Sequence, residues 1–121
     1  MGRGMSLLSM VAAAGQMGVE LTESHQQRLE QYLQLLTHWN RTHNLTAIRD
    51  PEKMVTHHIF DSLSILPFIV GERVVDLGSG AGLPGIPLAI IRSEIEVVMV
   101  ESNSKKSRFI QQAILELGLS N

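Results

Sequence analysis

One run, Val74-Val75-Asp76-Leu77-Gly78-Ser79-Gly80-Ala81-Gly82-Leu83-Pro84-Gly85, constrains this chain more than any other part of it. β-branched residues set up a short strand from Arg73 to Leu77, an acid interrupts it, and glycines follow at every second position. Glycine tolerates positive φ and has no Cβ, so such a run bends the backbone sharply and lets another group come close. Helical patterning resumes near Pro84 or Gly85 and runs to about Arg92. Pro84 and Pro87 fit only its first turn, where a missing N–H does no harm. A second apolar strand, Val97–Glu101, ends on an acid. Strand, glycine loop, helix and strand in that order form a parallel βαβ unit, the opening of a doubly wound α/β sheet.

Two textures flank this unit. From about Met5 to Phe68 the periodicity is helical, and from Arg73 onward strand and helix alternate. Residues 1–70 therefore read as a helical N-terminal region, and 71–121 as the N-terminal half of a Rossmann-like cofactor-binding domain. A first helix covers Ser6–Gln16 and stops in the Gly15/Gly18 region. Thr22 caps a second, with Glu23 in its first turn, where the helix dipole favours a carboxylate. Leu29, Tyr32, Leu33, Leu35, Leu36 and Trp39 form a broad apolar stripe at helical spacing, hence a core-facing helix. Asp50-Pro51 marks another helix start; Met54, Val55, Ile59, Phe60, Leu63 and Leu66 continue it until Pro67 ends it. Ser104 caps a last helix, whose apolar face is Phe109, Ile110, Ala113, Ile114 and Leu117, with Gly118 as its stop. The pattern β-α-β-α leaves both edges of a two-stranded sheet unpaired. The expectation is the front part of a larger protein.

Composition excludes several classes. The formal charge is −2 over 121 residues, so no global positive field draws in nucleic acid, and any RNA must be held locally. Cysteine is absent, which removes disulfides, thiolate chemistry and Cys-type zinc sites and makes a reducing cytoplasm the default. No apolar run reaches the ~18 residues of a membrane span. Arg3 before Leu7–Ala14 faintly resembles a secretory signal, and Gly2 with Ser6 fits a loose myristoylation pattern. The first is short and runs into an amphipathic helix, and the second arises easily by chance. His57 and His58 are adjacent on a helix and point about 100° apart, so they do not share a metal easily.

Gly80-Ala81-Gly82-Leu83-Pro84-Gly85 satisfies the dinucleotide fingerprint G-x-G-x-x-G, a weak match by itself. Asp76, two residues before the first glycine, argues against a diphosphate, which its charge repels, and for a cationic ligand. S-adenosylmethionine carries a sulfonium and an ammonium group and no phosphate. Glu101, at the end of the second strand, is placed to accept ribose hydroxyls, and would serve NAD equally.

The string Asp76–Ala89, DLGSGAGLPGIPLA, resembles the first motif of S-adenosylmethionine-dependent methyltransferases. Within them GLPGIPLA is similar to the bacterial 16S ribosomal RNA guanine-N7 methyltransferase family, also called glucose-inhibited division protein B. Trp39-Asn40, Asn44–Pro51 (NLTAIRDP) and His58-Ile59-Phe60-Asp61-Ser62 follow that family's pattern and order. The resemblance runs from about Leu7 to Asn121 and covers only the N-terminal portion of a longer family. It implies that Gly78 and Leu83 contact S-adenosylmethionine, that Gly80 and Gly82 allow its close approach, that Glu101 holds the ribose, and that Asp76 faces the methionine amino group. It implies methyl transfer to a guanine ring nitrogen of 16S rRNA, free or in the small ribosomal subunit. That nitrogen already has a lone pair, so no catalytic acid or base is assigned. With half of the cofactor pocket elsewhere, the isolated chain is expected to be inactive or nearly so.

Asn44, His58, Asp61 and Ser62 could line the cleft where cofactor and guanine meet, or serve only to satisfy backbone groups at helix ends. Lys105, Lys106 and Arg108 are better read as a solvated face than as a phosphate contact. Two other functions stay open: a non-catalytic module that self-associates through its sheet edge, and a NAD-type dinucleotide binder.

Overall fold

A computed structural model describes residues 11–12, 14–16, 18–43, 45, 53 and 58–121. Asn44, the Asp50-Pro51 helix start, Met54, Val55, His57 and the first turns of the Ser6–Gln16 helix lie outside the described residues. Residues 11, 12 and 14–16 are helical. The segment turns at Gly18, whose φ of +77° is a glycine conformation and whose N–H donates to the Gly15 carbonyl at 3.1 Å.

Helix α1 spans Glu23–His43. Its entry is fixed by a reciprocal pair: the His25 N–H donates to Thr22 Oγ1, and the Thr22 N–H donates to His25 Nδ1, both at 3.2 Å. This is a capping box with imidazole in the role usually held by Glu or Gln. The apolar stripe reads as expected, with Leu29, Tyr32, Leu33 and Leu36 buried and Leu35 and Trp39 packed against them.

Helix α2 spans Phe60–Ser64 and ends before Pro67 rather than at it. Pro67 sits inside a tighter three-residue turn, Leu66–Phe68; its fixed φ suits the first residues of such a turn, so the chain tightens instead of breaking. Gly71, at φ +95°, leads into strand β1, Arg73–Leu77. Helix α3 covers Gly85–Ile91, strand β2 Glu96–Val100 and helix α4 Ser104–Leu117. β2 begins one residue earlier than its apolar pattern suggests, because the Glu96 N–H already donates to the Glu72 carbonyl at 2.8 Å.

The strands pair in parallel, Arg73 opposite Glu96 through Leu77 opposite Val100. α1 packs on α3 and α4, and α2 on α3. One buried cluster therefore draws on both regions of the sequence, from Leu29, Leu36 and Leu63 to Ile86, Leu88 and Phe109. Burying each such side chain contributes about 1.5–3 kcal/mol. Phe109 is its aromatic centre, 5.6 Å edge-on from Trp39 and 6.2 Å from Tyr32.

α4 is capped by Asn103, not Ser104: Asn103 Oδ1 accepts the Lys106 N–H at 3.1 Å. It stops at Gly118, φ +65°, where the N–H groups of Gly118 and Leu119 return to the carbonyls of Leu115 and Ile114, a Schellman ending. The chain then comes back to the sheet, and the Val97 N–H donates to the Asn121 carbonyl at 2.9 Å. The Asn121 amide nitrogen lies 3.0–3.2 Å from the carbonyls of Ala89, Arg92 and Ile95, tying the end of α3 to β2. Arg92 adds a second tie, to the Leu66 carbonyl at 3.2 Å.

Candidate functional site

The site is built where β1 gives way to α3. Leu77 is the last ladder residue, and the N–H groups of Gly78 and Ser79 both turn onto the Val100 carbonyl, at 2.7 and 3.2 Å. The loop then closes on itself, with the N–H groups of Gly82 and Leu83 donating to the Ser79 carbonyl at 2.9 and 3.0 Å. Gly78, Gly80 and Gly82 have φ of +69°, +58° and +88°. All three need glycine for conformation, but they differ in what surrounds them. A Cβ on Gly82 would lie 2.4 Å from Ile86 Cδ1, so this glycine lets the loop pack on α3. A Cβ on Gly78 or Gly80 would meet nothing within 4 Å. These two present bare backbone to open space, as a ligand cradle requires. The peptide bond before Pro84 is cis.

Two carboxylates flank the cradle. Asp76 is half-buried on β1, and its Oδ2 accepts the Gly85 N–H at 3.1 Å, at the start of α3. Burial pushes its carboxyl above the usual value, against the pull of the Gly85 amide and the neighbouring Ser79 hydroxyl. Glu101 stands just past β2. Its Oε2 accepts the Asn103 N–H at 2.9 Å and its Oε1 the Gly80 N–H at 2.7 Å. Those two amides, first Asn103 and then Gly80, hold its carboxyl below the usual value, with a smaller contribution from Lys106. Glu101 thus bridges the glycine loop and the β2–α4 connection.

Leu83 is half-buried at the far side of the loop, against the core. Of the cleft candidates, Ser62 is buried and donates its hydroxyl to the His58 carbonyl one turn back at 2.7 Å. Asp61 is exposed on α2, and its carbonyl accepts the Ser64 hydroxyl at 2.6 Å. His58 is half-buried just before α2. Among the described residues no three His, Cys, Asp or Glu side chains come together to hold a metal, and no helix is long and apolar enough to cross a membrane.

Tyr32 is the participant that sequence reasoning missed. It belongs to the α1 stripe, and its hydroxyl donates to the Ala81 carbonyl, within the glycine loop, at 2.6 Å. Helical spacing marks it as a core residue and says nothing of its hydroxyl. The available signal was chemical: a buried phenol needs an acceptor, and the stripe itself offers none.

The rRNA small subunit methyltransferase G family (GidB) matches residues 25–121. Curated relatives carrying the name "Ribosomal RNA small subunit methyltransferase G" are similar over most of the chain. The one from Nitrosospira multiformis is 60% identical over 105 residues, 87% of this chain and 49% of its own length. That from Neisseria meningitidis serogroup C is 49% identical over 111 residues, 91% of this chain and 54% of its own. That from Nitrosomonas eutropha is 60% identical over 94 residues, 78% of this chain and 44% of its own. The chain spans about half the length of these relatives. With the cradle in the expected order and the match running from α1 to Asn121, the chain belongs to the rRNA small subunit methyltransferase G family.

Proposed function

We propose that these residues build the methyl-donor half of an S-adenosylmethionine-dependent rRNA methyltransferase that acts on guanine N7 of 16S rRNA, free or in the small ribosomal subunit, in the cytoplasm. One observation carries the reading: bare backbone at Gly78 and Gly80 opens between two carboxylates, Asp76 and Glu101. Such a cradle suits a cationic, phosphate-free ligand and repels a diphosphate. S-adenosylmethionine, when bound, supplies an electrophilic methyl group on its sulfonium.

Each protein group then has a definite task. Gly78 and Gly80 give the backbone its close approach, Gly82 lets the loop pack on α3, and Leu83 contributes an apolar wall. Asp76 attracts the methionine amino group. Each Glu101 oxygen spends one lone pair on a backbone amide, that of Gly80 or of Asn103, and keeps another for a ribose hydroxyl. Guanine N7 has its own lone pair, so this chain's residues would serve by orientation and exclusion of water, and no side chain is assigned as acid or base. His58 and Asp61 are assigned to the guanine side, while the Ser62 hydroxyl serves the His58 carbonyl. Residues 1–70 serve as the helical support and 71–121 as the first half of the cofactor domain.

Titrating the 15N-labelled chain with S-adenosylhomocysteine and with NAD tests this. The expected result is shifts at Gly78, Gly80 and Glu101 with the first ligand and weak or no shifts with the second. Tighter NAD binding at the same amides sinks the reading. A second reading, self-association as a non-catalytic module, is favoured by the uncovered valines of the sheet, Val75, Val98 and Val100. Light scattering decides it, a concentration-independent monomer being the outcome that removes it.

A further inference from the structure

The Gly80-Ala81-Gly82 stretch puts two positive-φ glycines on either side of one alanine. Such a segment has a wide conformational repertoire and does not hold a single bend unaided. Besides the loop's own bonds to the Ser79 carbonyl, two bonds from opposite sides restrain it. Glu101 takes the Gly80 N–H at 2.7 Å, from the β2 side. Tyr32 takes the Ala81 carbonyl at 2.6 Å, from α1, 49 residues earlier in the chain. These bonds seize the peptide units before Gly80 and after Ala81, and so fix the orientation of the unit between them.

The Tyr32 end is rigid in its own right. The residue is fully buried, and its ring lies 6.2 Å from that of Phe109, which Trp39 meets edge-on. A carbonyl cannot donate, so the phenol must be the donor and must stay protonated. Burial and the nearby Asp76 charge raise its pKa well above the ordinary value, so the proton remains. Ala81 is itself buried, so without the phenol its carbonyl faces the protein interior rather than water.

We propose that Tyr32 is a positioning residue for the glycine loop: its hydroxyl clamps the Ala81 carbonyl and holds the Gly78–Gly82 backbone in the bend that receives the ligand. The effect on ligand binding rests on the function proposed above, whereas the clamp itself does not. It makes helix α1 part of the site although none of its residues need touch the ligand.

Tyr32→Phe keeps the ring and removes only the hydroxyl. In that variant the Gly82 and Leu83 amides, which donate to the Ser79 carbonyl, should exchange with solvent roughly tenfold faster, the scale of one lost buried hydrogen bond. Ala113 and Leu117 in α4 should exchange as before, and S-adenosylhomocysteine should bind roughly tenfold more weakly. Unchanged loop exchange overturns the clamp, as does equal acceleration in loop and α4, which marks a merely structural tyrosine. In the unsubstituted chain the Tyr32 hydroxyl proton should appear as a slowly exchanging resonance with cross-peaks to Gly82, and its absence also overturns the proposal. Should the parent chain bind no S-adenosylhomocysteine, the functional reading fails, while the exchange comparison and the hydroxyl resonance still decide the role of Tyr32.

Discussion

Asp76 and Glu101 are both carboxylates beside one loop, yet their surroundings drive them in opposite directions. Glu101 is held below its ordinary 4.5 by two backbone amides. Its contribution to stability is therefore complete above 4.5 and is lost as pH falls through its lowered folded value. Asp76 is raised above 3.8 by burial. Its ionised form costs stability, so its contribution is present below 3.8 and disappears as pH rises through the folded value. Following the two side-chain carboxyl carbons by NMR should show Glu101 titrating below 4.5 and Asp76 above 3.8, with the Gly80 amide shift tracking Glu101. The glycines separate in the same residue-by-residue way. Gly78→Ala should cost about 1–2 kcal/mol in urea unfolding, from the left-handed backbone alone. Gly82→Ala adds a clash with the buried Ile86 and should cost about 1–3 kcal/mol more. The need for glycine at these positions was legible from their spacing. Which of them faces a ligand and which faces α3 was not, because that depends on how the following helix packs.

Among the elements, β1 was readable to the residue because Gly71 and Gly78 bracket a β-branched run. The start of α4 was not, because Ser102, Asn103 and Ser104 are all good caps and only the turn geometry selects Asn103. Nor does sequence spacing disclose that the Asn121 amide would tie the end of α3 to β2, since its three acceptors lie 26 to 32 residues away. Helix α1 shows a cap with a built-in pH dependence. Its Thr22 N–H donates to His25 Nδ1, which only the unprotonated imidazole can accept. Burial, aided by Arg28, lowers the pKa of His25 from 6.5. The sign is that of a depressed base: the cap's contribution is present above 6.5 and declines as pH falls below it. Amide exchange at Thr22 should accordingly quicken between pH 7 and pH 5, beyond the intrinsic change of rate, and His25→Ala should abolish that dependence. Exchange in the middle of α1 should not follow it.

For the molecule as a whole, both strands alternate half-buried and exposed residues, and the helices cover one face of the sheet. Parallel sheets are usually covered on both. On the other face Val75, Leu77, Val98 and Val100 are 55%, 77%, 39% and 48% exposed, with Arg73 and Glu96 paired at one end. That ion pair lies at the surface and contributes about 0–1 kcal/mol. Which face stays bare could not be inferred from the strand sequences, because an apolar run reads the same whichever side the helices take. The bare face has a diagnostic consequence. Dyes such as anilinonaphthalene sulfonate, whose brightening is normally taken as the mark of a loosened, molten state, should light up on this chain while its near-ultraviolet dichroism remains that of a fixed aromatic cluster. Leu77→Lys together with Val98→Lys should dim the glow and leave the dichroism intact. A chain that is well folded would otherwise be misjudged as half-melted, because an aliphatic sheet face stands in water.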